Sequence, residues 1–276
     1  MTYAEYLANR RGLSPGTVAQ YQRTRRRWET ANVAPLAWLL ALDLANMPGP
    51  TVATYRAAVC HYLDYTGTEF DRALVKRVAR GRSQQRTYRH GVSEAVLDDY
   101  NEALNQSSVT EPCWTILRLL PYTGLRISGA CNLRAGAVTK IGDHRALQVI
   151  GKGNKVRSVL MNKTAHRILT DWRKVRKTRL AGVSSPWLFP SAQNPERPVA
   201  ADTVRFHLRQ LRSAYDLPKD LTPHSLRHFY ATTLLNKGVD LLTLKDLLGH
   251  ASITTTQLYA KPSVDRLAKA AALLDD

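Results

Sequence analysis

The chain has 276 residues, with 40 Lys+Arg against 22 Asp+Glu and a formal charge of +18. That length accommodates one large or two smaller hydrophobic cores, and so positive a balance points to a polyanionic partner. Three cysteines without CxxC spacing (Cys60, Cys113, Cys131) argue against a disulfide framework or a zinc site, and the longest apolar stretch, Pro35 to Met47, is interrupted by Asp43 and too short for a bilayer, so a cytoplasmic protein with no membrane partner is expected.

Residues 1–82 read as an all-α domain of four helices. Ser14 followed by Pro15 is a cap and first-turn signal, after which Val18, Tyr21, Arg25 and Trp28 share one face at helical spacing. The opposite face carries Arg23, Arg26 and Arg27, candidates for DNA contact. A second helix, Leu36 to Leu44, stops at the breaker Met47-Pro48-Gly49-Pro50. A third spans Thr51 to Tyr65 and a fourth Asp71 to Val78. The stretch from Gly81 to His90 is polar and basic with no apolar period. It places a linker at residues 83–92 and in it two further candidates for DNA contact, Arg86 and Arg89.

Residues 93–276 read as a mixed, mainly helical domain. Ser93 opens a helix through about Leu104, and Cys113 to Tyr122 is apolar, helical and closed by Gly124. Ala146 to Ile150 and Val156 to Met161 flank Gly151-Lys152-Gly153-Asn154 and predict a β-hairpin. Helices are expected at Thr164–Leu180, Ala201–Tyr215, Pro223–Asn236, Leu241–Leu248 and Ile253–Tyr259. A tail, residues 262–276, carries Leu267, Ala270, Ala271 and Leu273 along one side. The fold class is therefore mainly α with a small β-hairpin, an all-α first half joined to an α+β second half.

Several polar residues stand where local signals fix the backbone. Thr222-Pro223 starts a helix that holds His224 and Arg227 at i and i+3, near an end that favours anions. Leu226, Tyr230 and Leu234 supply its apolar stripe. His224 and His228 have metal-ligand spacing, but there is no Glu between them and no third ligand is evident. Gly249 reads as a helix C-cap with His250 just beyond it, and Tyr259 follows nine positions later. Upstream, Arg126 comes just past Gly124, and the hairpin tip offers Lys152 with Lys155 close behind.

Taken in order, Arg126, Lys152 in Gly-Lys-Gly-Asn-Lys, His224 with Arg227, His250 in Leu-Gly-His and Tyr259 resemble the catalytic set of the tyrosine recombinase (phage integrase-like) family, in its compact Xer-like form. The resemblance covers about Ser93 to Lys261, while residues 1–82 resemble that family's core-binding domain in length and helical pattern only. Gly129 departs from the pattern, because many relatives carry an acidic residue there.

Metal-free phosphodiester cleavage needs a nucleophile, neutralisation of the equatorial charge and an acid for the leaving alkoxide. A tyrosine with a pKa of about 10 is only about one part in 10³ phenolate at pH 7, and neighbouring cations raise that fraction. Guanidinia suit the phosphate because each binds two oxygens at once and stays charged. A lysine is a far better proton donor than an arginine, which favours Lys152 as the acid. His224 would exchange the Tyr259 proton, and His250 would donate to the phosphate. The resemblance implies an enzyme that recombines specific double-stranded DNA sites through a 3′-phosphotyrosine. It further implies a C-shaped clamp, four protomers on two sites, association with the nucleoid when bound, and neither metal nor cofactor. The alternatives are a type IB topoisomerase and a non-catalytic DNA-binding regulator.

Overall fold

The computed structural model describes residues 1–45, 47–78, 92–151 and 156–249. The chain divides into two units, residues 1–89 and 90–276. Arg86 and Arg89 of the expected linker, Lys152 and Lys155 of the hairpin, His250, the expected helix at Ile253–Tyr259 and the tail lie outside the described residues.

In the first unit the expected helices are α2 (Pro15–Thr30), α3 (Pro35–Leu44), α4 (Gly49–Thr66) and α5 (Arg72–Arg77). Ser14 and Asp71 cap α2 and α5 through their side-chain oxygens. Gly49 and Pro50 belong to the first turn of α4 rather than to a loop, since proline is tolerated where the N–H has no helical acceptor. Ahead of these the structure adds α1 (Tyr3–Glu5), unforeseen from the sequence, which continues as a π-helical stretch, Tyr6–Arg10. Its start is a capping box, in which Thr2 and Glu5 each accept the other's backbone N–H through their side chains. Tyr3 and Leu7 then bury themselves with Tyr21 and Ala58.

Trp28 is fully buried and packs with Leu39, Val52, Val59 and Leu63. The Arg25 stem lies along the apolar face as expected; its guanidinium sits 5.3 Å from the Tyr62 ring centroid and bonds Glu29 at 2.5 Å. Arg23, Arg26 and Arg27 are exposed, although Arg27 is engaged with the Tyr55 hydroxyl at 2.8 Å.

In the second unit the described helices are α6 (Glu94–Gln106), α7 (Cys113–Thr123), α8 (Ile127–Cys131), α9 (Lys163–Leu180), α10 (Ala201–Ala214), α11 (Pro223–Asn236) and α12 (Leu241–Leu248). Helix α7 is apolar nearly all round, with Ile116, Leu117, Leu119 and Leu120 fully buried, so it forms a centre against which α9, α10 and α11 pack. The hairpin strands are β2 (His144–Ile150) and β3 (Val156–Leu160), joined by an edge strand also unforeseen from the sequence, β1 (Val138–Ile141). The antiparallel sheet has the order β1-β2-β3, with Leu147 opposite Val159 and Val149 opposite Arg157. Cys113 and Cys131 are buried free thiols, and burial pushes them up to about 11 and about 12 respectively.

Candidate functional site

Three short segments are drawn together around one buried guanidinium. Thr222 caps α11 by accepting the Ser225 N–H, Ser225 accepts the Thr222 N–H in return, and Pro223 takes the first turn. Arg227, one turn further, is only 2% exposed. Its Nη1 donates to the Gly124 carbonyl, and its Nη2 donates to the Leu248 carbonyl at 2.8 Å. Both carbonyls lie at the C-terminal ends of helices, α7 and α12, where C=O groups run out of helical partners and a cation is favoured.

Each anchor point leads directly into a predicted site residue. Arg126 comes two residues after Gly124, and His250 two residues after Leu248. Gly124 and Gly249 cap their helices in the left-handed conformation, at φ +59° and +61°, and so turn the chain sharply. Arg126 is exposed and occupies the N-cap position of α8. His224 is exposed, and a groove lined by Ile127, Leu208, Leu221, Thr222 and Pro223 places it beside the start of α8. Helix α11 thus leaves His224 at the surface and buries Arg227, although their spacing puts them on one side of its first two turns.

His228 is half-buried; burial first, and then the neighbouring His224, hold its imidazole below the usual histidine range. Among the described residues, no three His, Cys, Asp or Glu gather in a way that could hold a metal ion. Likewise, no described helix is long and apolar enough to cross a membrane.

Tyr230, expected only as part of an apolar stripe, plays a further part. A Cβ built on Gly124 would come closer to the Tyr230 ring than two carbons can approach. Burial raises the Tyr230 phenol, while nearby Arg227 lowers it. Gly124 is therefore required twice, by its positive φ and by the ring against it. We expect Gly124→Ala to destabilise the second unit by about 2–4 kcal/mol, combining left-handed strain with overpacking. Denaturant unfolding of the variant checks this, and an unchanged midpoint would contradict it. At Gly129, by contrast, an added Cβ would make only an ordinary contact with Val149 at 3.5 Å, so space does not require a glycine.

Comparison with known proteins identifies the family. Residues 92–266 match the phage integrase family. The tyrosine recombinase XerC of Mesorhizobium japonicum is 31% identical over 294 residues, covering 96% of this chain and 91% of the relative. XerC of Brucella melitensis is 37% identical over 152 residues, which is 55% of this chain and 47% of the relative. Among solved structures, the Tn1549 transposon integrase in complex with transposon right end DNA has a TM-score of 0.70 at 19% identity, over 99% of this chain and 98% of that one. The XerH recombinase bound to difH in a post-cleavage complex gives 0.66 at 20% identity, over 89% and 74%. By the family match and the near full-length relative together, the chain belongs to the phage integrase family of tyrosine recombinases.

Proposed function

We propose that this chain, a site-specific DNA recombinase of the tyrosine type, cuts and rejoins strands through a transient bond between a DNA 3′-phosphate and Tyr259. The observation that carries the reading is the buried Arg227 fork, in which one fixed guanidinium fastens the segment leading to Arg126 to the segment leading to His250. Those segments are far apart in sequence, and one phosphate can be served by both only if something holds their ends together. The recombinase relatives support this reading and lend nothing to the topoisomerase or regulator alternatives.

In the proposed reaction the Tyr259 oxygen attacks phosphorus while the bond to the 5′-oxygen breaks. Lys152 protonates that leaving oxygen, and His224 takes the phenolic proton. Arg126 and Arg227 neutralise the charge that grows on the equatorial oxygens, where fixed donors lower a barrier most. His250 donates a hydrogen bond to the same phosphate. The phosphotyrosine keeps the bond energy, so a 5′-hydroxyl from either duplex can reverse the step without ATP. Four copies on two DNA sites would supply the partner strands. A duplex selected by binding from a random library, then nicked just 3′ of the cleavage position, tests the proposal. Its short end diffuses away after cleavage and traps the adduct. A protein–DNA band stable to denaturation is expected, and its absence across the selected sites would overturn the reading.

The exposed Arg23 and Arg26 of the first unit are proposed to meet DNA, whereas Arg27 is held by Tyr55. Affinity should then fall with salt at a log–log slope of about −0.9 per phosphate neutralised, and the Arg23→Ala/Arg26→Ala double variant should flatten that slope by about 1–2. Titrations at several salt concentrations read this directly. An unchanged slope would assign both arginines to a solvated surface.

A further inference from the structure

Arg157 stands where the strand pattern calls for an apolar side chain. On β3 it shares a face with Val159, and the residues opposite this pair on β2 are Val149 and Leu147. Val159, Val149 and Leu147 are all core residues, at most 3% exposed. A guanidinium among them loses hydration, which is costly unless an opposite charge or hydrogen bonds compensate.

The compensation is incomplete. A Cβ built on Gly249 would collide with Nη1 and Cδ of Arg157, so this side chain lies across the residue that precedes His250. Its Nη1 is buried and has no hydrogen-bond partner among the described residues. Burial and then the charge of Arg126 both hold the Arg157 guanidinium below its ordinary basicity. Among the described residues neither Arg157 nor Arg126 has a carboxylate as an ion-pair partner. Gly129, which faces the Val149 opposite Arg157, supplies none either. The Arg157 guanidinium thus lies against the end of α12 that Arg227 fastens, with no carboxylate from the described protein to balance it.

We infer that Arg157 supplies a third guanidinium charge to the scissile phosphate, beside Arg126 and Arg227. The inference rests on the proposed function. It assigns the missing counter-charge to the substrate: the repulsion between Arg126 and Arg157 is relieved when the phosphate arrives, and more so as its charge grows in the transition state.

The test uses the full chain and the nicked duplex, once with the natural scissile phosphate and once with a methylphosphonate, which lacks the negative charge. Arg157→Met removes the charge and keeps much of the volume, and an apolar side chain suits this face, so folding should be retained or improved. Cleavage of the natural phosphate should slow by about 10²-fold, as when one fixed donor is lost, and the deficit should shrink to about threefold or less on the methylphosphonate. Arg157→Lys, with its charge kept, should lose less than Arg157→Met on the natural phosphate. Equal losses on both substrates would make Arg157 merely structural, and undiminished cleavage of the natural phosphate would overturn the inference outright. A wild-type chain that forms no adduct would instead sink the recombinase chemistry beneath it, a separate and recognisable failure.

Discussion

Tyr259→Phe is expected to form no covalent adduct on the nicked duplex while binding it within about twofold of wild type, since only one hydroxyl with modest net binding worth is removed. The ring and every cation proposed for the site remain. What disappears is the single oxygen that can bond to phosphorus, and loss of a covalent nucleophile costs on the order of 10⁶ in turnover. Gel shift and denaturing electrophoresis on the same samples separate binding from cleavage. An adduct that persists in the variant would move the nucleophile elsewhere. Of the 12 tyrosines, Tyr3 and Tyr100 are buried and Tyr230 is half-buried against Gly124, so none of those three offers a ready substitute.

The second large effect is expected at Arg227. Alanine there leaves the Gly124 and Leu248 carbonyls without their donor and opens a void where a guanidinium was 2% exposed. Removing a buried charge that fastens two segments should cost about 3–5 kcal/mol of stability. Cleavage by the fraction that remains folded should fall by a further 10²–10³ or so, because a donor to the developing phosphate charge is gone. Arg227→Lys should recover part of the stability but little of the rate, as one ammonium cannot reproduce a planar fork. Calorimetry and single-turnover cleavage measure the two losses separately. A stable Arg227→Ala chain with normal cleavage would mean that the fork neither fastens nor catalyses.

Much of the fold around the site is legible in the sequence because its signals are local. Thr222-Pro223 starts α11, and Gly124 and Gly249 close α7 and α12, each by capping chemistry that needs no tertiary partner. The capping box of Thr2 and Glu5 is equally local, yet α1 escapes notice because so short a segment has little periodicity and is completed by burial against Tyr21 and Ala58. Edge strand β1 is hidden for a related reason. Its four residues, Val138 to Ile141, are half-buried or exposed and show no clean alternation. Long-range relations are the least legible. Spacing places His224 and Arg227 on one side of a helix, but positions i and i+3 are offset by roughly 60° on the helical wheel, enough for one to face water and the other the core. That Arg227 would reach two helix ends, or that Arg157 would lie across Gly249, depends on contacts between elements that sequence spacing does not encode.

The central claim is a bond between Tyr259 and DNA, and peptide mapping of the trapped adduct tests it most directly. Trypsin should release Asp246–Arg266 as one peptide, since Lys261 is followed by Pro262, and this peptide contains a single tyrosine, Tyr259. After nuclease digestion, mass spectrometry should find Tyr259 carrying a nucleotide through its 3′-phosphate, with a free 5′-hydroxyl on the released strand. A nucleotide on any other residue, or a 5′-phosphate attached to the protein, would contradict the account.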